Sequence, residues 1–276
     1  MLPSNSVAKI TAKTALKNKW LQAITVCLIL IVVFLIQIFF EQMIRIFVLE
    51  SGKFLDGVDS YAGGLWNGIL NLFLTVSSLA LTFLLVFPLV LGVVRWFWRM
   101  TGEAKDTVGV VFYYFGTGER FKRSVAVFFG LLWRNLVVGL LSFIPFFMAV
   151  ILTNFAAEYD INQIMLFSVD FGNVINTIFL ILGCVVYLIL TLRYYMVLWV
   201  TVACPRLSVK QVFKTSVGFA KGTKAAYFVF ILSFTGWAFI SFLALPLLFT
   251  LPYFIAANAV FSRFVITNAN LKASKV

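Results

Sequence analysis

Two arginines of this chain stand inside long apolar runs, and their side chains are the ones best suited to chemistry. Arg134 lies among Leu131, Leu132, Trp133 and Leu136, with Asn135 beside it, and Arg193 lies in the run that ends before Pro205. A guanidinium is a planar fork of donors that matches the oxygens of a phosphate or carboxylate. Within a membrane span it is costly, and it reads as functional by default. Arg134 is therefore a candidate to bind a lipid phosphate or an anionic substrate. The alternative is a span that starts near Asn135, because a crossing needs about 20 residues and 136–155 supplies that length. Arg134 is then an anchor on an inner-leaflet approach. Arg193 also has two readings. Its apolar stem lets the charge snorkel to the inner headgroups, or it enters a buried ion pair.

Other chemistry is missing at the level of residue type. There is no histidine, which removes imidazole acid–base chemistry and imidazole metal ligation. The cysteines Cys27, Cys184 and Cys204 form no CxxC pair and no disulfide framework. Glu41, Glu50, Asp56, Asp59, Glu158, Asp160 and Asp170 gather between apolar runs. Hard cations such as calcium favour such oxygens, but the spacings match no binding loop, and a solvated external face is the plainer reading. With these acids outside the spans, a carboxylate proton relay is not expected. GTGER at 116–120 lacks the glycine–lysine pattern of a phosphate loop. No catalytic residue, metal set or cofactor is expected, and the chain does not read as an enzyme.

Composition then says what must position the arginines. The chain is 62% hydrophobic and 12% charged, against about 45–50% and about 25% in soluble domains. So little polar surface cannot cover a water-facing globule, and the bilayer must be the main solvent. Six stretches are expected to cross it, at about 20–40, 70–98, 130–153, 174–202, 225–245 and 251–266, in one membrane domain covering 1–276. Of the 22 Lys and Arg residues, 18 fall in the first, third, fifth and seventh flanking segments and two in the even ones. Seven of the ten acids fall in the even segments. That alternation is the positive-inside pattern, and it puts both termini in the cytoplasm. The net charge of +12 does not point to nucleic acid. The bases sit beside apolar spans, where the anionic headgroups of the inner leaflet attract them. The first run, 21–40, exceeds the apolar core of a cleaved signal peptide, roughly 7–15 residues, and is expected to remain as an anchor.

The connecting segments have helical patterns of their own. Lys9, Lys13 and Lys17 recur every fourth residue on one face, with Val7, Ile10 and Leu16 off it. This spacing predicts an amphipathic helix on the inner leaflet. Segment 107–121 and segment 209–217, with Val209, Val212, Phe213 and Val217, predict a second and a third interfacial helix. The stretch 65–98 is too long for one upright crossing, yet no Gly, Pro or charge turns it near 75–78. A single helix, tilted or kinked at Pro88, is expected. The fold class is an all-α polytopic bundle, with Gly130, Gly139, Gly183, Gly236 and Ala256 expected to permit close helix packing.

A pattern of surface helix, basic pair and span recurs at AKTALKNKWLQAITV, YYFGTGERFKRSVAV and GFAKGTKAAYFVF. FPLVLGVVRWFWR and LPYFIAANAVFSR echo one another, with Gly92 and Ala256 each four residues after the proline. One reading is a threefold repeat of an interfacial helix plus a two-span hairpin. The other is convergence, because every such junction needs a basic, amphipathic approach.

From about Arg193 to Phe264 the chain reads LRYYMVLWVTVACPRLSVKQVFKTSVGFAKGTKAAYFVFILSFTGWAFIS and then LPYFIAANAVFSRF. The basic–aromatic–Met stretch, the short helix ending in Gly–x–Lys, LSFTGW and LPY resemble the bacterial DUF975 family of multi-pass membrane proteins. ALKNKW at the first span fits as well. The group is similar to the membrane domain of some glycerophosphodiester phosphodiesterases, whose catalysis belongs to a separate soluble domain. The chain departs from the family in PRLSVKQVFK, which lacks the usual acidic residues, so a salt bridge there is not expected. The resemblance implies a fold and a bacterial inner-membrane location, not an activity.

The resulting expectation is a non-enzymatic scaffold or accessory component. It would act through anionic inner-leaflet lipids, a protein partner or a second copy of itself. The alternative is a transporter or channel for a lipid-like or anionic solute, using Arg134 and kinks at Pro88, Pro145 and Pro252. Arg134→Ala separates the two: loss of solute flux with normal assembly favours transport, and loss of a co-purifying partner favours the scaffold.

Overall fold

The structure is a computed structural model that describes residues 5–53, 60–104, 106–158, 169–241 and 246–273. Its helices are α1 (Asn5–Leu16), α2 (Trp20–Lys53), α3 (Ser60–Leu81), α4 (Phe87–Met100), α5 (Gly118–Glu158), α6 (Val169–Thr191), α7 (Val197–Ala203), α8 (Val209–Ala220), α9 (Lys224–Leu232), α10 (Thr235–Ser241) and α11 (Leu247–Ala273). Short 3-10 segments cover Val108–Phe115 and Leu192–Tyr194. Among the described residues every regular element is helical, as expected for an all-α chain.

Among the described residues, five stretches are long and apolar enough to cross a membrane: Trp20–Phe47, Asn71–Met100, Gly118–Phe155, Gly172–Ala203 and Leu247–Ala269. A sixth exists if the pair Val209–Ala220 and Lys224–Trp237, bent by 80°, is taken as one. These lengths are compatible with a multi-pass membrane protein. The segment expected as a fifth crossing is divided between α9 and α10, which break at Ser233 and Phe234. At that break the Ser233 amide turns back to Val229 and Phe230 and the Phe234 amide to Ile231.

The stretch 65–98 follows one helical path, with a wide π turn at Thr82–Val86 between α3 and α4. Pro88 lies one residue beyond the start of α4. It has no N–H to donate, and its ring crowds the carbonyl four residues back. An extra residue in the turn relieves that conflict. The Ser78 carbonyl receives Thr82 Oγ1 at 3.0 Å and Gln37 Nε2 at 3.3 Å, so the loosened backbone is still bonded. Phe87 then stacks on Phe128 of α5 at 3.5 Å between ring centroids.

Small residues set the close approaches. Gly183 of α6 meets Phe143 of α5, where an added Cβ would lie 2.7 Å from the ring and 3.1 Å from the Ser142 carbonyl. Gly139 lies against Tyr187. Gly236 differs from expectation, since nothing stands within 4 Å of its would-be Cβ. The α1 helix also differs. Its buried face is Ala8, Ala12 and Leu16, while Val7 and Ile10 are exposed. It packs on α11, which offers Ala256, Ala257 and Ala259. Two alanine faces allow the backbones to close up, and the larger Val7 and Ile10 are left outside.

α11 and α4 form the centre of the core, with Trp96, Phe97 and Phe261 fully enclosed. Half of the α11 window is buried, against 11% of that in Gly118–Phe155 and 6% of that in Gly172–Ala203. The α5–α6 pair therefore has bare apolar flanks suited to lipid, whereas α11 is held by protein. The 3-10 segment crosses α4 at Gly92, where an added Cβ would stand inside the contact radius of the Val111 carbonyl oxygen.

Gly92→Ala must push backbone against backbone. Overpacking of this kind costs about 1–3 kcal/mol or more. The expected outcome is a clearly lowered unfolding temperature in detergent, measured by size-exclusion after heating. An unchanged midpoint would remove Gly92 from this role.

Candidate functional site

The start of α2 and α5 and the end of α4 and α7 meet at one end of the molecule, where basic side chains tie them together. Lys19 Nζ donates to the Ala104 carbonyl at 3.0 Å, and Arg123 Nη2 donates to the Cys204 carbonyl at 3.0 Å. Arg263 of α11 donates through Nε to Thr101 Oγ1 at 3.1 Å and through Nη2 to the Trp98 carbonyl, with its guanidinium 4.2 Å over the Trp98 ring. Lys9 Nζ donates to the Ser233 carbonyl at 2.8 Å, just past α9, and lies 4.4 Å over Phe234. Burial lowers the Lys9 pKa. Cations at helix C-termini satisfy orphan carbonyls and oppose the negative end of the helix dipole. Charge counting alone assigns these bases to headgroups, and their internal bonds carry no sequence signal beyond their position beside the apolar runs.

Beside these ties lies a polar cavity of about 200 Å³, lined in part by Arg95, Arg120, Arg123, Tyr113, Tyr114 and Glu119. Arg95 comes from α4, Tyr113 and Tyr114 from the 3-10 segment, and the rest from the first turns of α5. The Gly92 crossing sets the 3-10 segment close enough for Tyr113 to meet two guanidiniums, Arg95 at 3.6 Å and Arg120 at 4.1 Å from its ring centroid. Burial pushes the Tyr114 phenol pKa up, and the nearby charges of Arg95 and Arg123 oppose that shift. The Nε atoms of Arg95 and Arg123 are buried with no hydrogen-bond partner.

The two arginines singled out in the sequence lie elsewhere. Arg134, half-buried, stacks 3.7 Å over Phe213 of α8, and its Nη1 donates to the Gly130 carbonyl of its own helix at 3.0 Å. Gly130 makes room for Phe213, since a Cβ there would fall 2.8 Å from the ring. Arg193, exposed, is 6.0 Å over Tyr194, and Tyr194 meets Phe213 at 6.3 Å. The structure thus brings both arginines to one aromatic pair, outside the Arg95 cavity. The α8 helix that presents Phe213 begins with a capping box: the Gln211 amide donates to Ser208 Oγ at 3.4 Å and the Ser208 amide to Gln211 Oε1 at 2.9 Å. It ends in a turn at Gly222, whose φ of +77° favours glycine.

A second cavity, about 400 Å³, lies between α2 and α3. Its wall is apolar except for Gln37, Glu41, Ser77 and Ser78. Glu41, expected at the start of an external segment, lies on α2, and the apolar stretch Trp20–Phe47 continues past it. It accepts from Ser78 Oγ at 2.6 Å and from Arg45 Nη2 at 3.2 Å. Glu41 and Arg45, one helical turn apart, pair along one face of α2.

The fold and these clusters define a helical protein with, among the described residues, five or six helices long and apolar enough to cross a membrane, and with an arginine–aromatic cluster where four helix ends meet. The chain belongs to the family described as protein of unknown function (DUF975), which matches residues 1–269. It matches no curated protein and no solved structure.

The stacking of Arg134 on Phe213 is testable by a double-mutant cycle. Combining Arg134→Gln with Phe213→Leu should reveal a coupling of about 0.5–2 kcal/mol in detergent unfolding. Strict additivity would show that the pair does not couple α5 to α8.

Proposed function

We propose that this is a bacterial inner-membrane protein with cytoplasmic termini that acts without catalysis, as a scaffold or accessory component contacting anionic lipids or a partner protein. The observation that carries the reading is the gathering of bases at one end. Among the described residues, Arg95, Arg120 and Arg123 at that end form no ion pair with a carboxylate, nor do Arg134 and Arg193 outside the cavity, while Arg45 and Arg99 do. Uncompensated arginines at the cytoplasmic face attract anionic headgroups or an acidic partner. α1, the 108–115 segment and α8 serve as three interfacial elements, each leading into a two-span hairpin, in a threefold repeat. Burial of both Gly92 and Ala256, four residues after Pro88 and Pro252, supports that repeat. The relation to the membrane domain of glycerophosphodiester phosphodiesterases belongs to the same reading and brings no catalysis.

For Arg134 the anchor reading gains support. α5 has 41 residues, about 60 Å of helix, against a hydrocarbon core of about 30 Å. That excess length leaves room for its first half to extend beyond the apolar layer, with Arg134 against α8. The transporter reading retains one favourable observation, the polar floor of the α2–α3 cavity beside a π turn.

The third hairpin has a second arrangement. α11 touches the basic end at Phe249, 6.3 Å from Trp20, and again at Arg263. Lys9 reaches the α9–α10 break. Both favour a hairpin that enters from the cytoplasmic side and returns. Four crossings plus this hairpin leave the termini together, as six crossings do.

In a cysteine-free background, Leu247→Cys distinguishes them. External labelling by a membrane-impermeant maleimide supports six crossings, and internal labelling supports the re-entrant hairpin. For the function, gentle extraction followed by native mass spectrometry should show a stoichiometric partner or retained anionic lipid. Solute flux by the purified protein in vesicles, lost in Arg134→Ala, would replace this proposal with transport.

A further inference from the structure

The cavity between α4, the 3-10 segment and the first turns of α5 is built in a way that headgroup attraction alone does not require. Three guanidiniums face a space of about 200 Å³. Like charges so placed repel unless something compensates them. Among the described residues Glu119 is the one carboxylate that lines the cavity, and it makes no ion pair with any of the three. The Tyr113 ring lies within 3.6 Å of the Arg95 guanidinium and 4.1 Å of that of Arg120, and attracts both without neutralising them. Arg123 spends Nη2 on the Cys204 carbonyl. Its Nε, and that of Arg95, remain buried and unbonded. A buried donor left unmade costs about 1–3 kcal/mol, so the site as it stands holds donors and charge in reserve.

We propose that this cavity binds a phosphate group through Arg95, Arg120 and Arg123, with the Tyr114 hydroxyl as a further donor. Arginine forks match the geometry of phosphate oxygens, and three guanidiniums supply more donors than the two oxygens of a carboxylate can accept. Arg120 is exposed and stands at the opening. Phe112 and Phe115, on the same 3-10 segment, are also exposed, which suits a phosphate carried on a lipid whose chains lie against those rings. A soluble phosphate compound has the same recognition chemistry. The inference deepens the proposed function and rests on it only for the side of the membrane on which the cavity opens.

The test uses the full chain in nanodiscs of phosphatidylcholine with phosphatidylglycerol, and in detergent with inorganic phosphate. Arg120→Gln removes one fork at an exposed position. Lys122→Gln removes the same charge from an exposed neighbour that does not line the cavity. Arg120→Gln should weaken ligand retention roughly tenfold, and Lys122→Gln less than about twofold. Retention of phosphatidylglycerol with this sensitivity, uncompeted by inorganic phosphate, identifies a lipid source. Inorganic phosphate bound with the same sensitivity identifies a soluble one. Equal effects of the two variants, or no binding of either probe, overturns the proposal. Phenylglyoxal modification of the unmutated protein is the second readout: bound ligand should protect the peptides carrying Arg95, Arg120 and Arg123, and equal modification with and without ligand counts against the site. A partner that still co-purifies with Arg120→Gln leaves the scaffold reading standing even if the phosphate site fails.

Discussion

A helix that ends leaves carbonyls that no N–H of its own can reach. At the basic end of this protein, cations reach them. Arg123 bonds the end of α7, Arg263 the end of α4, and Lys9 the chain just past α9. Each donor comes from a different helix, so the bond that closes one helix also fixes another beside it. Arg263 joins α11 to α4, and Lys9 joins α1 to the α9–α10 break. Where water is scarce these bonds have few competitors, and much of the arrangement at this end follows from them.

Close packing supplies the rest. Gly92 lets the 3-10 segment press its backbone on α4. That contact brings Tyr113 to Arg95, and from there to Arg120. The alanine faces of α1 and α11 do the same on the other flank, holding Lys9 where α9 breaks. A methyl group at Gly92 or a bulkier residue at Ala8 would move cations as well as surfaces. In this molecule packing and charge placement are one problem.

Much of the candidate site was hidden from sequence reasoning. Arg134 and Arg193 drew attention because they interrupt apolar runs, and the structure gives them aromatic neighbours, Phe213 and Tyr194, rather than a shared pocket. The cavity instead uses Arg95, Arg120 and Arg123, which look like ordinary flanking bases in a one-dimensional pattern. The partners of Glu41 were hidden for a related reason: Ser78 across the groove and Arg45 one turn on bond its carboxylate where α2 continues past it.

Composition and periodicity alone determined that the chain is helical, that its helices are long and apolar, and that its bases cluster between them. Those properties follow from residue type and local spacing, which need no knowledge of neighbours. The single path through 65–98 was legible too, since no Gly, Pro or charge stands near 75–78 to turn the chain. Tertiary structure decided which face of α1 is buried, that α9 breaks at Ser233, and which arginines converge. Each of these depends on a partner outside its own helix: α11 for the buried face of α1, Lys9 for Ser233, and Tyr113 for Arg95 and Arg120. Contacts between distant residues are set by how helices cross, and crossing depends on the shape of both surfaces at once.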